Sequence, residues 1–147
     1  MSGDVTGRGT SDVLWRNNNT GAVESWLITN DHVTGGGGVG FASIVWQPLG
    51  MGDFNGDGTS DVLWRNTLTG EVDTWLLTNG HVTGGSGVGS VSSAWQFGGI
   101  GDYMGNGTSD VLWQNTSTGE VDTWLFGNGH VTGGNAIGQA SSAWHSG

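Results

Sequence analysis

The sequence predicts an all-β chain in which one four-stranded antiparallel unit is used three times. Gly52–Trp64 (Gly-Asp-Phe-Asn-Gly-Asp-Gly-Thr-Ser-Asp-Val-Leu-Trp) recurs as Gly3–Trp15 and as Gly101–Trp113, a step of 49 residues each time, and 147 residues hold three such steps. Within each copy the apolar residues fall in short β-rich runs, with no helical periodicity. Glycine supplies 31 residues, roughly three times its usual share near 7%. Because nine tryptophans and regularly placed Val and Leu accompany it, that richness signals tight turns rather than disorder.

The middle copy justifies each element in order. Asp61–Asn66 is apolar on both faces, the pattern of a strand covered on both sides. Asn66–Gly70 reads as a turn, and Glu71–Leu77 as a second strand that begins with alternation and ends apolar. Asn79-Gly80 is a strong hairpin signal, since both residues tolerate the positive φ of a type I′ turn. His81–Gly89 is a glycine-laden edge strand. Ser92–Ile100 is the fourth strand and feeds the next acidic loop.

Four strands in a period of roughly 40–50 residues are the signature of a β-propeller blade. The chain reads as one propeller segment, residues 1–147, with repeats 3–51, 52–100 and 101–147. Propellers carry about 4–8 blades, so three cannot close a ring, and an open wedge would expose two large apolar faces. A ring completed by oligomerisation is therefore expected. Trp46 and Asp53 are seven residues apart, and so are Trp144 and a second chain's Asp4 when Gly147 is followed by Met1. Ser141–Gly147 is expected to begin a strand that residues 1–2 of a neighbouring chain continue. Two chains give six blades and three give nine; the homodimer is favoured because six lies in the common range.

Formal net charge is −10, and Arg8, Arg16 and Arg65 are the basic residues. Nucleic-acid binding needs a cationic footprint that this composition lacks, and binding to an anionic membrane by charge fails on the same ground. No apolar run is long enough for a membrane-inserted span. Cysteine is absent, so no disulfide framework exists. Met1–Asp4 already lies inside the repeat, so no signal peptide is read here, and a secreted or cell-surface location is suspected.

Gly52–Asn66 resembles the FG-GAP/VCBS-type repeats of bacterial surface proteins and integrin-like propellers. The 49-residue unit with three tryptophans is also similar to the seven-bladed propeller lectins of the Photorhabdus lectin type. The resemblance covers the whole chain. It implies a propeller with calcium in the acidic loops or sugar pockets between blades.

Asp53, Asn55, Asp57 and Asp61 stand at loop positions 1, 3, 5 and 9 with Gly58 at 6, a spacing that can wrap Ca²⁺. The resemblance adds the Thr59 carbonyl. Trp64 holds position 12, so this is not an EF-hand. The other copies place Asp4, Thr6, Arg8 and Asp12, and Asp102, Met104, Asn106 and Asp110, at the same positions. Only the middle repeat keeps a full ligand set, so its loop is the candidate calcium site, and no cofactor is required. The first and last aspartates persist in every copy, and the alternative is that they hold loop amides without metal.

Most tryptophans are expected to be packing between units. The exception is the set Trp46, Trp95 and Trp144, which opens the fourth strand near the turn face. A sugar site needs an aromatic face for C–H groups and polar groups for hydroxyls. Trp95 beside Gln96, with Arg65, Asn66 or Glu71, offers that pairing; Arg16, Asn17, Asn115 and Glu120 are the counterparts in the other copies, and Gln114 replaces the arginine in the third. His32, His81 and His130 recur on separate units, too far apart to share a metal. No nucleophile–base pair, phosphate loop or cofactor fingerprint is found, so the chain is read as a non-enzyme. The function expected is a multivalent lectin for neutral monosaccharide epitopes of glycans. The alternatives are a structural or protein-interaction propeller, calcium-stabilised or not, and a propeller-assembly fragment without sugar specificity.

Overall fold

The structure is a computed structural model that describes residues 1–146; Gly147, the last residue of the third repeat and of the expected strand Ser141–Gly147, lies outside the described residues. Every helix or strand element among the described residues is a strand. The strands form three antiparallel sheets. The first contains β1 (Ser2–Gly3), β2 (Asp12–Arg16), β3 (Ala22–Thr29) and β4 (His32–Phe41), paired in chain order. The second contains β5 (Trp46–Gly52), β6 (Asp61–Asn66) and β7 (Glu71–Thr78), closed at its far edge by β8 (His81–Gly84) and β9 (Gly87–Ser90). The third repeats this with β10 (Trp95–Gly101), β11 (Asp110–Asn115), β12 (Glu120–Gly127), β13 (His130–Gly133) and β14 (Ala136–Gln139).

Each sheet straddles a sequence-repeat boundary. The strand before an acidic loop pairs with the strand after it, Gly52 opposite Asp61 and Gly101 opposite Asp110. The β7–β8 hairpin turns through Asn79 and Gly80 at φ 51° and 77°, both positive as a type I′ turn demands. The expected edge strand His81–Gly89 is at the edge but divides in two. At Gly85, φ is 126° and a Cβ would lie 2.0 Å from the Thr74 carbonyl oxygen, so only glycine fits the break.

The strands alternate, and each sheet is apolar on both faces. Val5, Leu14 and Val23 of the first sheet pack with Val62, Trp64 and Leu77 of the second. Phe54, Leu63 and Val72 of the second pack in the same way with Val111, Trp113 and Phe126 of the third. Trp64 and Trp113 are 1% exposed because a preceding sheet covers them; their counterpart Trp15, with no such sheet, is 51% exposed. Packing therefore runs from sheet to sheet. Trp64→Ala is expected to cost about 3–5 kcal/mol in urea unfolding. Leu68→Ala, at a residue 79% exposed, is expected to stay within about 0.5 kcal/mol.

Candidate functional site

The acidic loops are locked by their own carboxylates. Asp53 Oδ1 accepts the amides of Gly56 and Asp57, and Oδ2 accepts Gly58. Asp4 takes the amides of Thr6, Gly7, Arg8 and Gly9, and Asp102 those of Asn106 and Gly107. Asn55 and Asp57 join the Asp53 loop, with the Asp57 carboxylate accepting the Thr59 amide and hydroxyl. The fourth residue of the expected set faces elsewhere. Asp61 is fully buried and spends one oxygen on the Phe54 amide and the other on the Leu77 amide, tying the loop to β7. Asp12 and Asp110 make the same two bonds in their sheets.

The loops also join adjacent sheets. Ser60 N–H donates to the Asp4 carbonyl and Gly80 N–H to that of Val5; Ser109 and Gly129 repeat this with Asp53 and Phe54. Close approach is needed at these junctions. A Cβ on Gly3 would meet Ser60 at 2.8 Å, and one on Gly52 would meet Ser109 at 2.8 Å.

The expected sugar-binding polar groups are largely occupied by the backbone. The Arg65 guanidinium donates to the Trp95 carbonyl at 2.9 Å and the Ser92 carbonyl at 2.8 Å, and lies 5.6 Å from the Trp113 ring centroid. Arg16 does likewise with the Ala42 and Ser43 carbonyls, over Trp64. Gln114 reaches the Ala140 and Ser141 carbonyls, so the shorter side chain performs the same brace in the third sheet. The Asn17, Asn66 and Asn115 side-chain carbonyls each accept two amides of the turn that follows. Arg65, Trp95 and Gln96 do border one shallow cleft, and Arg65 and Asn66 another beside it. Glu71 lies outside both. Its carboxylate neighbours Asp73, as that of Glu120 neighbours Asp122.

A different cavity, about 210 Å³, opens between the first and second sheets. Trp46, Trp64 and Trp75 line it with Asp73, against Phe41, Ala42 and Ser43. Asp73 faces it because strand alternation sends Val72 and Thr74 toward the third sheet and Asp73 and Trp75 toward the first. Asp73 Oδ1 and Trp64 Nε1 are buried without a hydrogen-bond partner. Burial, with Glu71 beside it, raises the Asp73 pKa above its ordinary value. The counterparts in the third sheet, Asp122 Oδ1 and Trp113 Nε1, are unpartnered too. Trp46 and Trp95 thus sit partly buried against the cores at these junctions, whereas Trp144 is 71% exposed. Sequence reasoning missed Asp73 and Asp122. The available signal was a carboxylate two residues before a tryptophan on the same strand face, repeated 49 residues on.

Comparison with protein-family models, curated proteins and solved structures finds no match.

The carboxylates give the protein a characteristic pH response. Burial pushes the Asp61 pKa up to about 7, against the two amides it accepts, with Asp57 and Asp53 adding repulsion. Its contribution to stability is thus fully present below the unfolded value of 3.8 and is lost as pH rises through about 7. Asp73, also raised, acts in the same direction. At Asp4 and Asp57 burial is outweighed by hydrogen bonds and the pKa falls, so their contribution is lost on acidification instead. Urea unfolding is expected to show maximal stability on the acid side of neutrality, with a decline toward alkaline pH that Asp61→Asn flattens. A stability that climbs steadily to alkaline pH contradicts this. For the brace, Arg65→Gln is expected to retain most of the stability, as Gln114 shows by example, whereas Arg65→Ala strands carbonyls at a cost of about 1–3 kcal/mol.

Proposed function

We propose that the chain is a segment of a β-propeller that binds neutral sugars in aromatic cavities between successive sheets. The observation that carries this reading is the cavity of Trp46, Trp64, Trp75 and Asp73. Trp46 and Trp75 offer apolar indole surface to the C–H side of a pyranose over the buried Trp64, and the Asp73 carboxylate offers an acceptor to hydroxyl donors. The unpartnered Asp73 Oδ1 and Trp64 Nε1 supply an acceptor and a donor whose hydrogen bonds are not met within the protein. At about 210 Å³ the space is smaller than the roughly 300–1,000 Å³ of clefts for drug-sized ligands. It suits one sugar ring rather than an oligosaccharide.

The same constellation of Trp95, Trp113, Trp124 and Asp122 recurs at the next junction. Repetition favours multivalent binding over a single catalytic centre, because weak sites on one scaffold gain strength from effective concentration. A net charge of −10 disfavours anionic sugars and leaves neutral ones. The arginine and asparagine side chains act on this reading as braces that hold the cavity walls.

A glycan array followed by competition with free monosaccharides tests the proposal. Binding to neutral terminal sugars is expected, and the double variant Trp75→Ala/Trp124→Ala is expected to weaken it by about tenfold or more. Asp73→Asn/Asp122→Asn is expected to shift or abolish the sugar preference. A folded protein that captures no glycan removes the lectin reading and leaves a structural or protein-interaction scaffold.

A further inference from the structure

We infer that a second copy of this chain docks head to tail on the first sheet, inserting its C-terminal segment beside β2 and completing a composite cavity between the two copies. An edge and two faces lack, among the described residues, the partners their equivalents have.

The edge is the first strand of the first sheet. β1 pairs Ser2 with Val13 and Gly3 with Asp12, and Met1 exchanges hydrogen bonds with Leu14. Beyond Leu14 the pairing stops. In the second sheet it continues through Pro48↔Trp64 and Gln47↔Arg65 to Trp46↔Asn66. Hydrogen-bonding directions alternate along a central strand, so Arg16, like Leu14, turns its backbone N–H and C=O toward this empty edge. The segment that fits is present at the other end of the chain. Trp144 N–H donates to the Ser141 carbonyl, the same lead-in turn that Trp46 makes with Ser43 and Trp95 with Ser92. Trp144, His145 and Ser146 follow that turn and belong to no strand among the described residues, and Ser146 Oγ donates to the Gly98 carbonyl of β10.

The two faces match in detail. Trp15 and Trp26 on the first sheet are 51% and 45% exposed, where Trp64 and Trp75 pack on a preceding sheet. On the third sheet Tyr103 is 46% exposed where Val5 and Phe54 are fully buried. Trp75 packs so closely on Gly40 that a Cβ there would meet the ring at 3.1 Å, and Trp124 so closely on Gly89 that the distance would be 2.8 Å. Gly138, the next in this series, has nothing within 4 Å. It is the vacant seat for the Trp26 ring of a second copy. Likewise Ser11 and Asp31 stand where Ser60 and Gly80 donate across a junction, and the carbonyls of Asp102 and Tyr103 stand where those of Asp4 and Val5 accept.

Docking places Ala140, Ser141 and Trp144 of one copy against Trp15, Glu24 and Trp26 of the other. These are the counterparts of the internal cavity, with Glu24 in place of Asp73. The longer side chain carries the carboxylate deeper, so the composite cavity takes a different or smaller sugar. This last point rests on the sugar-binding reading; the docking does not.

Sedimentation equilibrium on the intact chain tests the docking directly. A mass twice the 15.2 kDa of one chain is expected, six sheets being a number that closes a ring. Trp144→Ala removes a side chain that is exposed in the single chain, and Gly138→Leu fills open space there, so both variants keep their circular dichroism. Both are expected to sediment as monomers. A wild-type chain that stays monomeric at every concentration, or folded variants with unchanged mass, overturns the inference. Glycan binding by such a monomer would show that the cavities function without the docking, and a dimer that binds no glycan would fail the sugar reading alone.

Discussion

A β-sheet that is apolar on both faces must be covered on both sides, and the rest of this structure depends on that requirement. β2, β6 and β11 read Asp-Val-Leu-Trp, with Leu facing forward and Trp facing back. No single copy of the unit can bury both. Stacking places Leu14 and Val23 under Trp64, and Leu63 and Val72 under Trp113. Burial of such side chains contributes roughly 25 cal/mol per Å² of apolar area, and the indoles supply the largest areas. The cavity beside Asp73 lies at the same junction, between Trp46, Trp64 and Trp75 on one side and Phe41, Ala42 and Ser43 on the other.

Polar groups fix how the sheets meet. Asp12, Asp61 and Asp110 each hold an amide of the loop and an amide of the third strand. The loop then presents its carbonyls to the next sheet, where Ser60, Gly80, Ser109 and Gly129 donate to them. Removing a buried acceptor costs more than its bond contributes, since it strands the donors it had satisfied. The acidic loop is thus a clamp between sheets. This explains why its first and last aspartates occur in every copy while the residues between them vary from Asn55 and Asp57 to Thr6 and Arg8.

The elements that could be read from the sequence are those set by local chemistry. Asn79-Gly80 gives its turn through positive φ, Asn66 caps the turn it opens, and the spacing of the tryptophans announces the stacking. What could not be read depends on contacts distant in sequence. Arg65 is legible as a polar group near Trp95, but the hold of the Ser92 and Trp95 carbonyls on its guanidinium is not. The loop spacing grouped Asp61 with Asp53, but the strand turns it inward to meet Leu77. The repeat boundary at Gly52 cuts through a sheet, because a sequence period does not say which strand pairs across it. Asp73 went unnoticed because the face it shares with Trp75 becomes a cavity wall only when a neighbouring sheet arrives.

A sheet of this kind needs a partner at its edge and on both faces, and in the proposed docking the first sheet takes its edge partner from another copy. Hydrogen exchange at the backbone amide of Arg16 reads this most directly. Arg65 and Gln114 each have a first-strand neighbour, Gln47 and Gln96; Arg16 has none among the described residues. The Arg16 amide is expected to be protected to the same order as those of Arg65 and Gln114 in concentrated solution, and to lose protection in Trp144→Ala. An Arg16 amide that exchanges as fast as an unstructured one while Arg65 and Gln114 remain protected would contradict it.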